Sequence, residues 1–195
     1  SFSVGKIIAS KAAPKLCPVT LELGGKNPNI IMSDADLEIA IPGVIDGMRY
    51  TRQGQACTAG SRVYIHEKIY DKVLNGAVEK LSKLKMGNAL DESSDIGAII
   101  SEEQLKRTLY YMDIAKKNSS TKILHGGNQS KGGEYKDGFY YEPTLLSGLP
   151  VSSPVCQEEV FGPVACAIPF KSFDEVMKSA NDTQFGLSAV LWTKD

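Results

Sequence analysis

Residues 62–84 read RVYIHEKIYDKVLNGAVEKLSKL, and this segment passes from a strand pattern directly into a helix pattern. Its first five residues form a short, largely apolar run of the kind found in buried strands. In the remainder, apolar residues recur at the spacing of one helical face: Ile69, Val73, Leu74, Ala77, Val78, Leu81 and Leu84. A buried strand followed by an amphipathic helix predicts helices packed on a sheet.

Strand and helix patterns alternate along the rest of the chain as well. We predict helices over residues 3–13, 37–50, 102–117 and 173–180, the third of them capped by Ser101–Gln104. We predict strands over residues 19–23, 29–32, 122–124, 139–146, 164–170 and 187–192, with a hairpin-like stretch at 126–138. Pro42 lies inside the second helix and is expected to delay its start. This alternation predicts an α/β fold with a largely parallel sheet flanked by helices.

The composition is that of an ordinary globular protein rather than a disordered or fibrous one. The chain has 195 residues, of which 42% are hydrophobic and 23% charged, with a formal net charge of -1. At this length one domain, or two small ones, is expected. The balanced charge lacks the clustered excess of Lys and Arg that attracts nucleic acids or anionic membranes. No apolar run approaches the roughly 20 residues of a membrane-spanning helix.

The first segment with more glycine and polar residues than its surroundings need is LELGGKNP, residues 21–28. It puts the Glu22 carboxylate at the end of the predicted strand 19–23, directly before a Gly-Gly turn. Ligands of α/β sheets bind at the carboxyl ends of strands, so we expect Glu22 to reach into a cleft there. From the residues alone, two interpretations stay open: a structural ion pair or turn residue, or a general base.

The second segment, RQGQACTAGS at residues 52–61, is a polar loop of small residues around Cys57. Such a cysteine is either a small buried hydrophobe or a nucleophile, and a loop favours the second role. The other three cysteines are weaker candidates, because Cys17 lies in a turn, Cys156 in a loop and Cys166 inside an apolar strand. Their wide spacing predicts no disulfide scaffold and no metal site, only free thiols in a reducing cytoplasm.

The third segment is QEEVFGPV, residues 157–164, where two acids precede an aromatic residue, a glycine and a proline. Adjacent carboxylates usually belong to a solvated surface. An acid followed two residues later by an aromatic residue can also grip the hydroxyls of a ribose while the ring packs on a heterocycle. The segment alone does not decide between these two interpretations.

In combination, the three segments resemble the catalytic domain of the NAD(P)-dependent aldehyde dehydrogenase superfamily, over Ser1 to Asp195. The cysteine follows the glutamate by 35 residues, and the Glu-x-Phe-Gly-Pro sequence comes about a hundred residues later. The resemblance implies oxidation of an aldehyde to a carboxylic acid, with Cys57 as nucleophile and Glu22 as general base. A thiohemiacetal and then a thioester would form on Cys57, and the intact Glu22 motif favours release to water rather than to coenzyme A.

The resemblance also implies the remaining site residues. The cofactor is NAD or NADP, contacted by Glu159 and Phe161 at the nicotinamide ribose, by the backbone of Leu23 and Gly24, and by the helix start at Ser1. The residues beside the nucleophile, Ala56 and Thr58, would line the substrate tunnel. Arg52 is either a surface residue or a contact for an acidic substrate tail.

Members of this family carry further segments on both sides of the matched region. We therefore expect a catalytic-domain fragment without most of the cofactor-binding domain and without the C-terminal oligomerisation segment. Such a fragment is expected to bind NAD(P) weakly or not at all. The alternative to an active fragment is an inactive folding or assembly module, or one that retains only thiol esterase activity. For the whole protein we expect a cytoplasmic homo-oligomer, dimer or tetramer, that acts on a small-molecule aldehyde.

Overall fold

A computed structural model describes all residues from Ser1 to Asp195 and contains one six-stranded sheet. The strands are β1 (Pro28–Ile31), β2 (Arg62–His66), β3 (Lys122–His125), β4 (Thr144–Ser147), β5 (Val164–Phe170) and β6 (Val190–Trp192). The α-helices are α1 (Phe2–Ala12), α2 (Leu37–Met48), α3 (Tyr70–Leu81), α4 (Glu102–Lys117), α5 (Pro154–Gln157) and α6 (Phe173–Asn181). The sheet order is β3-β4-β5-β2-β1-β6, and only the β3–β4 pair is antiparallel. The predicted α/β class and largely parallel sheet are confirmed.

Each face of the sheet is covered by its own layer of helices. Tyr64 points to the face covered by α4, α5 and α6, whereas its neighbours Val63 and Ile65 point to the face covered by α2 and α3. Strand side chains alternate between faces, so the fully buried β2 contributes to both cores. Four of the apolar residues predicted to share one face of α3 are buried against the sheet: Val73, Leu74, Ala77 and Leu81.

Capping side chains determine where two of the helices begin. The Asp36 carboxylate accepts a hydrogen bond of 3.0 Å from the Glu38 N–H, and the Ser101 hydroxyl accepts one of 3.2 Å from the Gln104 N–H. Helix α2 starts at Leu37 and continues through Pro42, so the prediction that this proline delays the helix was wrong. The Asp36 cap and the buried apolar face of α2 outweigh the one backbone donor that proline removes.

Three strand predictions were too long or wrong. Residues 19–23 form no strand, because no neighbouring strand pairs with them. The predicted strand 139–146 is reduced to β4 and a single bridge at Tyr141, and 187–192 is reduced to β6. An apolar run becomes a strand only where an adjacent strand accepts its backbone hydrogen bonds.

The sheet brings all three motif segments to one edge. They directly precede β1, β2 and β5, which are adjacent and parallel, so they meet at the amino-terminal ends of the strands. The expectation that Glu22 lies at the carboxyl end of a strand is therefore wrong: the chain enters β1 after this motif instead of leaving a strand before it. None of the helices, of which α4 is the longest with 16 residues, is both long and apolar enough to cross a bilayer.

Candidate active site

The glutamate motif, residues 21–28 around Glu22, contacts the Glu159 segment, residues 157–164, through its two glycines. The Gly25 N–H donates a hydrogen bond of 3.1 Å to Oε1 of Glu159. A Cβ on Gly24 would collide with the same carboxylate, so only glycine allows the backbone to pass this close. These contacts join residues that lie 134 positions apart in the sequence.

The glutamate motif also contacts the cysteine loop, residues 52–61 around Cys57. The side-chain amide of Asn27 donates hydrogen bonds to the carbonyl oxygens of Cys57, at 2.7 Å, and Ala59, at 3.1 Å. A Cβ on Gly25 would lie 2.5 Å from the Cys57 carbonyl oxygen. The backbone before β1 therefore packs directly on the backbone around Cys57.

A third contact joins the cysteine loop to the Glu159 segment. Gly54 has a φ of +64°, and a Cβ there would collide with the carbonyl oxygen of Gly162. Ala56, Glu159 and Phe161 line the narrow gap that remains between the segments. All three motif segments are thus in mutual contact.

Phe161 is held in a strained backbone conformation. Its φ is +57°, in the left-handed region that a bulky residue rarely adopts. The Gln104 amide nitrogen on α4 donates to the carbonyl oxygens of Val160 and Phe161 at 3.0 and 2.8 Å. Arg107, one turn further along α4, donates to the Glu159 carbonyl oxygen at 2.7 Å. Helix α4 therefore holds this segment in its strained form.

The same helix holds the preceding acid. The Tyr111 hydroxyl donates a hydrogen bond of 2.7 Å to the Glu158 carboxylate. Burial and this hydrogen bond raise the pKa of Tyr111 to about 12. Tyr111 therefore stays protonated at neutral pH and donates to Glu158. Because Glu158 is bound to α4 in this way, Glu159 is the acid that faces the glycines.

The four cysteines differ in exposure. Cys57 is half-buried in its loop, Cys17 is exposed, and Cys156 and Cys166 are buried in the core against α4. Cys156 lies in the one-turn helix α5, not in a loop as predicted, because Pro154 starts a helical turn there. The hydrogen bond with the neighbouring Cys156 thiol, together with burial, raises the pKa of Cys166, which makes it a poor nucleophile.

Two cations lie buried under the site without an acidic partner in hydrogen-bond or ion-pair contact. Lys26 is 2% exposed and Arg62 is fully buried. The Arg62 guanidinium donates to the backbone carbonyl oxygens of Lys26, Ser179 and Ala180 and to the Tyr64 hydroxyl, at 2.8 to 3.2 Å. Burial lowers the pKa of Lys26, although the nearby Cys166, Cys156 and Glu159 oppose that shift in part.

The remaining predicted residues lie at different distances from this cluster. The Glu22 carboxylate is exposed and makes no hydrogen bond or ion pair, and Thr58 and Arg52 are also exposed. Leu23 packs against Gly5 of α1, which joins that helix to the glutamate motif. Ser1 is exposed and bonds only within α1, to Ser3 and Gly5, so it is not part of the cluster.

Sequence reasoning missed the polar residues that hold the motif backbones. Asn27 lies inside the glutamate motif, and its place there was the only feature of the sequence that pointed to it. Arg62 resembled an ordinary strand residue, and Gln104 resembled only a helix-start residue. Arg107 gave no signal, because its contact with Glu159 spans 52 positions.

Comparison with known proteins supplies the context for this geometry. The aldehyde dehydrogenase family model matches residues 1–195. The chain is 41% identical to a D-glyceraldehyde dehydrogenase (NADP(+)) of Picrophilus torridus and 40% identical to a putative aldehyde dehydrogenase of Bacillus subtilis. Both alignments cover the whole chain but only 39% and 38% of the relative, so the chain spans about two fifths of their length.

Solved structures give the same match. The NAD+ complex of an aldehyde dehydrogenase from Bacillus cereus superposes with a TM-score of 0.92 at 37% identity, over 100% of this chain and 38% of that one. A 3,6-anhydro-L-galactose dehydrogenase in complex with NAP superposes with a TM-score of 0.95 at 35% identity, over 100% of this chain and 40% of that one.

Proposed function

The chain belongs to the aldehyde dehydrogenase family, and we propose that the protein carrying it oxidises an aldehyde to a carboxylic acid with NAD or NADP. The position of Gly25 carries this assignment, because its backbone contacts both the Cys57 carbonyl oxygen and the Glu159 carboxylate and so brings the cysteine and glutamate segments together. We assign residues 1–195 as the catalytic portion of that enzyme, since all three motifs lie within them.

In this proposal Cys57 is the nucleophile. Its thiolate adds to the carbonyl carbon of the aldehyde, and the electron pair of the C=O double bond moves to the oxygen. The backbone N–H of Cys57 donates no hydrogen bond within the protein, so it is free to stabilise that oxyanion. Cys57 is half-buried in its loop and not enclosed in the core like Cys156 and Cys166, as a nucleophile that meets a small substrate requires.

Glu22 is the proposed general base. Its carboxylate is exposed and unpaired, and it lies two residues before the glycine that contacts Glu159. It would take a proton from water as that water attacks the thioester on Cys57. Collapse of the resulting intermediate expels the Cys57 thiolate and releases the carboxylic acid.

The residues around Glu159 fit a nicotinamide ribose. Oε1 of Glu159 is occupied by Gly25, whereas Oε2 makes no hydrogen bond within the protein and is left for ribose hydroxyls. The half-buried Phe161 lines the same gap, and the Gly24 backbone lies beside the Glu159 carboxylate. The backbone of Leu23 and Gly24 is the proposed contact for the nicotinamide. When bound, the nicotinamide would supply the acceptor for the hydride that leaves the former carbonyl carbon, and loss of that hydride turns the Cys57 adduct into a thioester. The N-terminus of α1 at Ser1 is the proposed contact for the cofactor pyrophosphate.

The nucleophile is tested by replacing one cysteine at a time. We expect Cys57→Ala to reduce hydrolysis of p-nitrophenyl acetate by the chain, and aldehyde-dependent NAD(P)H formation by the whole protein, to the uncatalysed background. Cys17→Ala, which removes an exposed thiol outside the cluster, should leave both unchanged. Equal ester hydrolysis by the unchanged chain and Cys57→Ala would instead identify an inactive folding or assembly module.

The base is tested separately, by the time course of NAD(P)H formation. We expect Glu22→Gln to give one stoichiometric burst of NAD(P)H and then stop, because the acyl-enzyme forms but water is not activated. Glu92→Gln, at an exposed loop position, is the matched control. Unaltered steady-state turnover in Glu22→Gln would refute the assigned base.

A further inference from the structure

The side chain of Asn27 is buried, and each of its three hydrogen bonds leads to another segment. Asn27 is 3% exposed. Its amide nitrogen donates to the Cys57 and Ala59 carbonyl oxygens, and its amide oxygen accepts a hydrogen bond of 3.0 Å from the Ser188 N–H. The two donors face two acceptors and the acceptor faces a donor, so this amide orientation is the one that satisfies every partner.

The partners of Asn27 lie in two loops that have no regular secondary structure at the points of contact. Cys57 and Ala59 precede β2, and Ser188 precedes β6. Buried backbone groups need a partner, and outside a strand ladder a side chain must supply it. The Asn27 amide therefore does for these loops what an adjacent strand does inside the sheet.

The backbone of Asn27 is itself fixed. Its carbonyl oxygen accepts a hydrogen bond of 3.3 Å from the Arg62 N–H, and the Arg62 guanidinium holds the carbonyl of the preceding Lys26 at 2.8 Å. The Asn27 amide is thus rigidly attached at the start of β1, and it fixes the orientation of the Cys57 peptide.

We propose that Asn27 is a positioning residue for the nucleophile: its amide fixes the Cys57 and Ala59 carbonyls and so the loop that carries the Cys57 thiol and N–H. This role rests on the proposed function of Cys57. Loss of the Asn27 amide leaves the thiol intact but frees the Cys57 peptide, which must align with the substrate carbonyl. Misplacement of a reacting group by about 1 Å costs on the order of a hundredfold in rate.

Two reactions of the same thiol separate positioning from general damage. Acylation of Cys57 by p-nitrophenyl acetate needs an aligned oxyanion donor, whereas alkylation by iodoacetamide does not. In the full chain we expect Asn27→Ala and Asn27→Asp to lower the acylation rate by about 10- to 100-fold, with the alkylation rate unchanged. Asn27→Asp belongs in the test because it keeps the acceptor for Ser188 but loses both donors.

The matched control is Asn29→Ala. Asn29 is also fully buried and bonds the Gly43 carbonyl and the Trp192 indole, neither of which belongs to a motif segment. This variant should leave the ratio of acylation to alkylation unchanged. An equal fall in acylation and alkylation in the Asn27 variants, the same loss of ratio in Asn29→Ala, or no change in Asn27→Ala would each overturn the proposal.

Amide hydrogen exchange tests whether the Asn27 amide fixes the two loops, and it does not rely on activity. Asn27→Ala should speed exchange in both 55–61 and 183–189, Asn27→Asp only in 55–61, and Asn29→Ala in neither. If the unchanged chain neither forms an acyl-enzyme nor oxidises aldehydes, yet this exchange pattern holds, then the proposed function fails, although Asn27 still fixes both loops. Native exchange in both segments of Asn27→Ala would overturn the positioning role.

Discussion

The α2–α3 face of the sheet and the amino-terminal edge that carries the three motif segments are built on different principles. On the α2–α3 face, buried apolar side chains such as Val73 and Leu81 pack on Val63 and Ile65. At the motif edge the buried groups are largely polar, and Asn27 and Arg62 bond mainly to backbone carbonyls. Apolar packing is non-directional and tolerates substitutions of similar volume, whereas the edge depends on individual donors and close approaches.

This difference predicts that substitutions on the α2–α3 face change stability alone, whereas substitutions at the motif edge change stability and Cys57 reactivity together. The first three substitutions below test that separation, and the fourth tests the charge buried at the motif edge; they run from the largest to the smallest expected change in stability.

Arg62→Met should lower the free energy of unfolding by about 4 kcal/mol, because the buried carbonyls of Lys26 and Ala180 lose their guanidinium donor. The Ser179 carbonyl loses one donor but keeps the Tyr64 hydroxyl. Acylation of Cys57 should fall as well, since the Lys26 carbonyl is released. Urea unfolding and ester hydrolysis measure the two effects. A variant as stable as the unchanged chain would mean that burying the guanidinium costs as much as its hydrogen bonds return.

Leu81→Ala should lower the free energy of unfolding by about 3 kcal/mol, since it opens a cavity under α3 where the side chain is 1% exposed. Acylation of Cys57 per folded molecule should not change. Denaturant unfolding with ester hydrolysis in the absence of denaturant checks both statements. A reduced acylation rate in the folded variant would break the separation between face and edge.

Gly25→Ala should cost about 2 kcal/mol, because its Cβ would meet the Cys57 carbonyl and the Asn27 amide, and neither can retreat freely. The displaced loop should also slow acylation. Gly186→Ala is the control, since a Cβ there meets nothing within 4 Å. Thermal unfolding and the rate of Cys57 acylation are measured for both variants. If Gly25→Ala and Gly186→Ala are equally stable and are acylated at the same rate, the close approach at Gly25 does not determine either property.

Lys26→Met should raise the free energy of unfolding at neutral pH by about 1 kcal/mol, since it removes a buried, unpaired charge. Burial lowers the pKa of Lys26, so between that lowered value and its ordinary one the folded chain binds fewer protons than the unfolded chain. The stability of the unchanged chain therefore rises with pH across that interval.

The gain from Lys26→Met should accordingly be full below the lowered pKa of Lys26 and shrink as the pH rises toward the ordinary value. Urea unfolding at several pH values between 7 and about 10 measures it. Lys72→Met, at an exposed position of α3, is the control and should show no such dependence. A gain that is constant over this range would exclude the Lys26 charge as its source.

The parts of the fold that follow from local pattern could be predicted. The buried face of α3, the cap at Ser101, and strand β5 with its bounds all agree with the structure. Strands that lack a partner could not be predicted, because residues 19–23 are as apolar as a strand but have no neighbour to pair with.

Of the candidate site, the sequence predicted the three segments but not their support. Cys57, Glu22 and Glu159 stood out by type and local context, and their roles stay predictions; the substitutions at Cys57 and Glu22 test the first two. Asn27, Arg62, Gln104 and Arg107 did not stand out, because each contacts a segment that is distant in sequence.

The sequence by itself determined the fold class, the helix faces and the identity of the motif segments, since hydrophobic period, caps and motif spacing are local properties. Only the tertiary structure decided that these segments meet at the amino-terminal ends of β1, β2 and β5 rather than at the carboxyl ends. Strand order and register are non-local, and they alone bring Gly25 to Glu159 across 134 positions and aim the Asn27 amide at the Cys57 carbonyl.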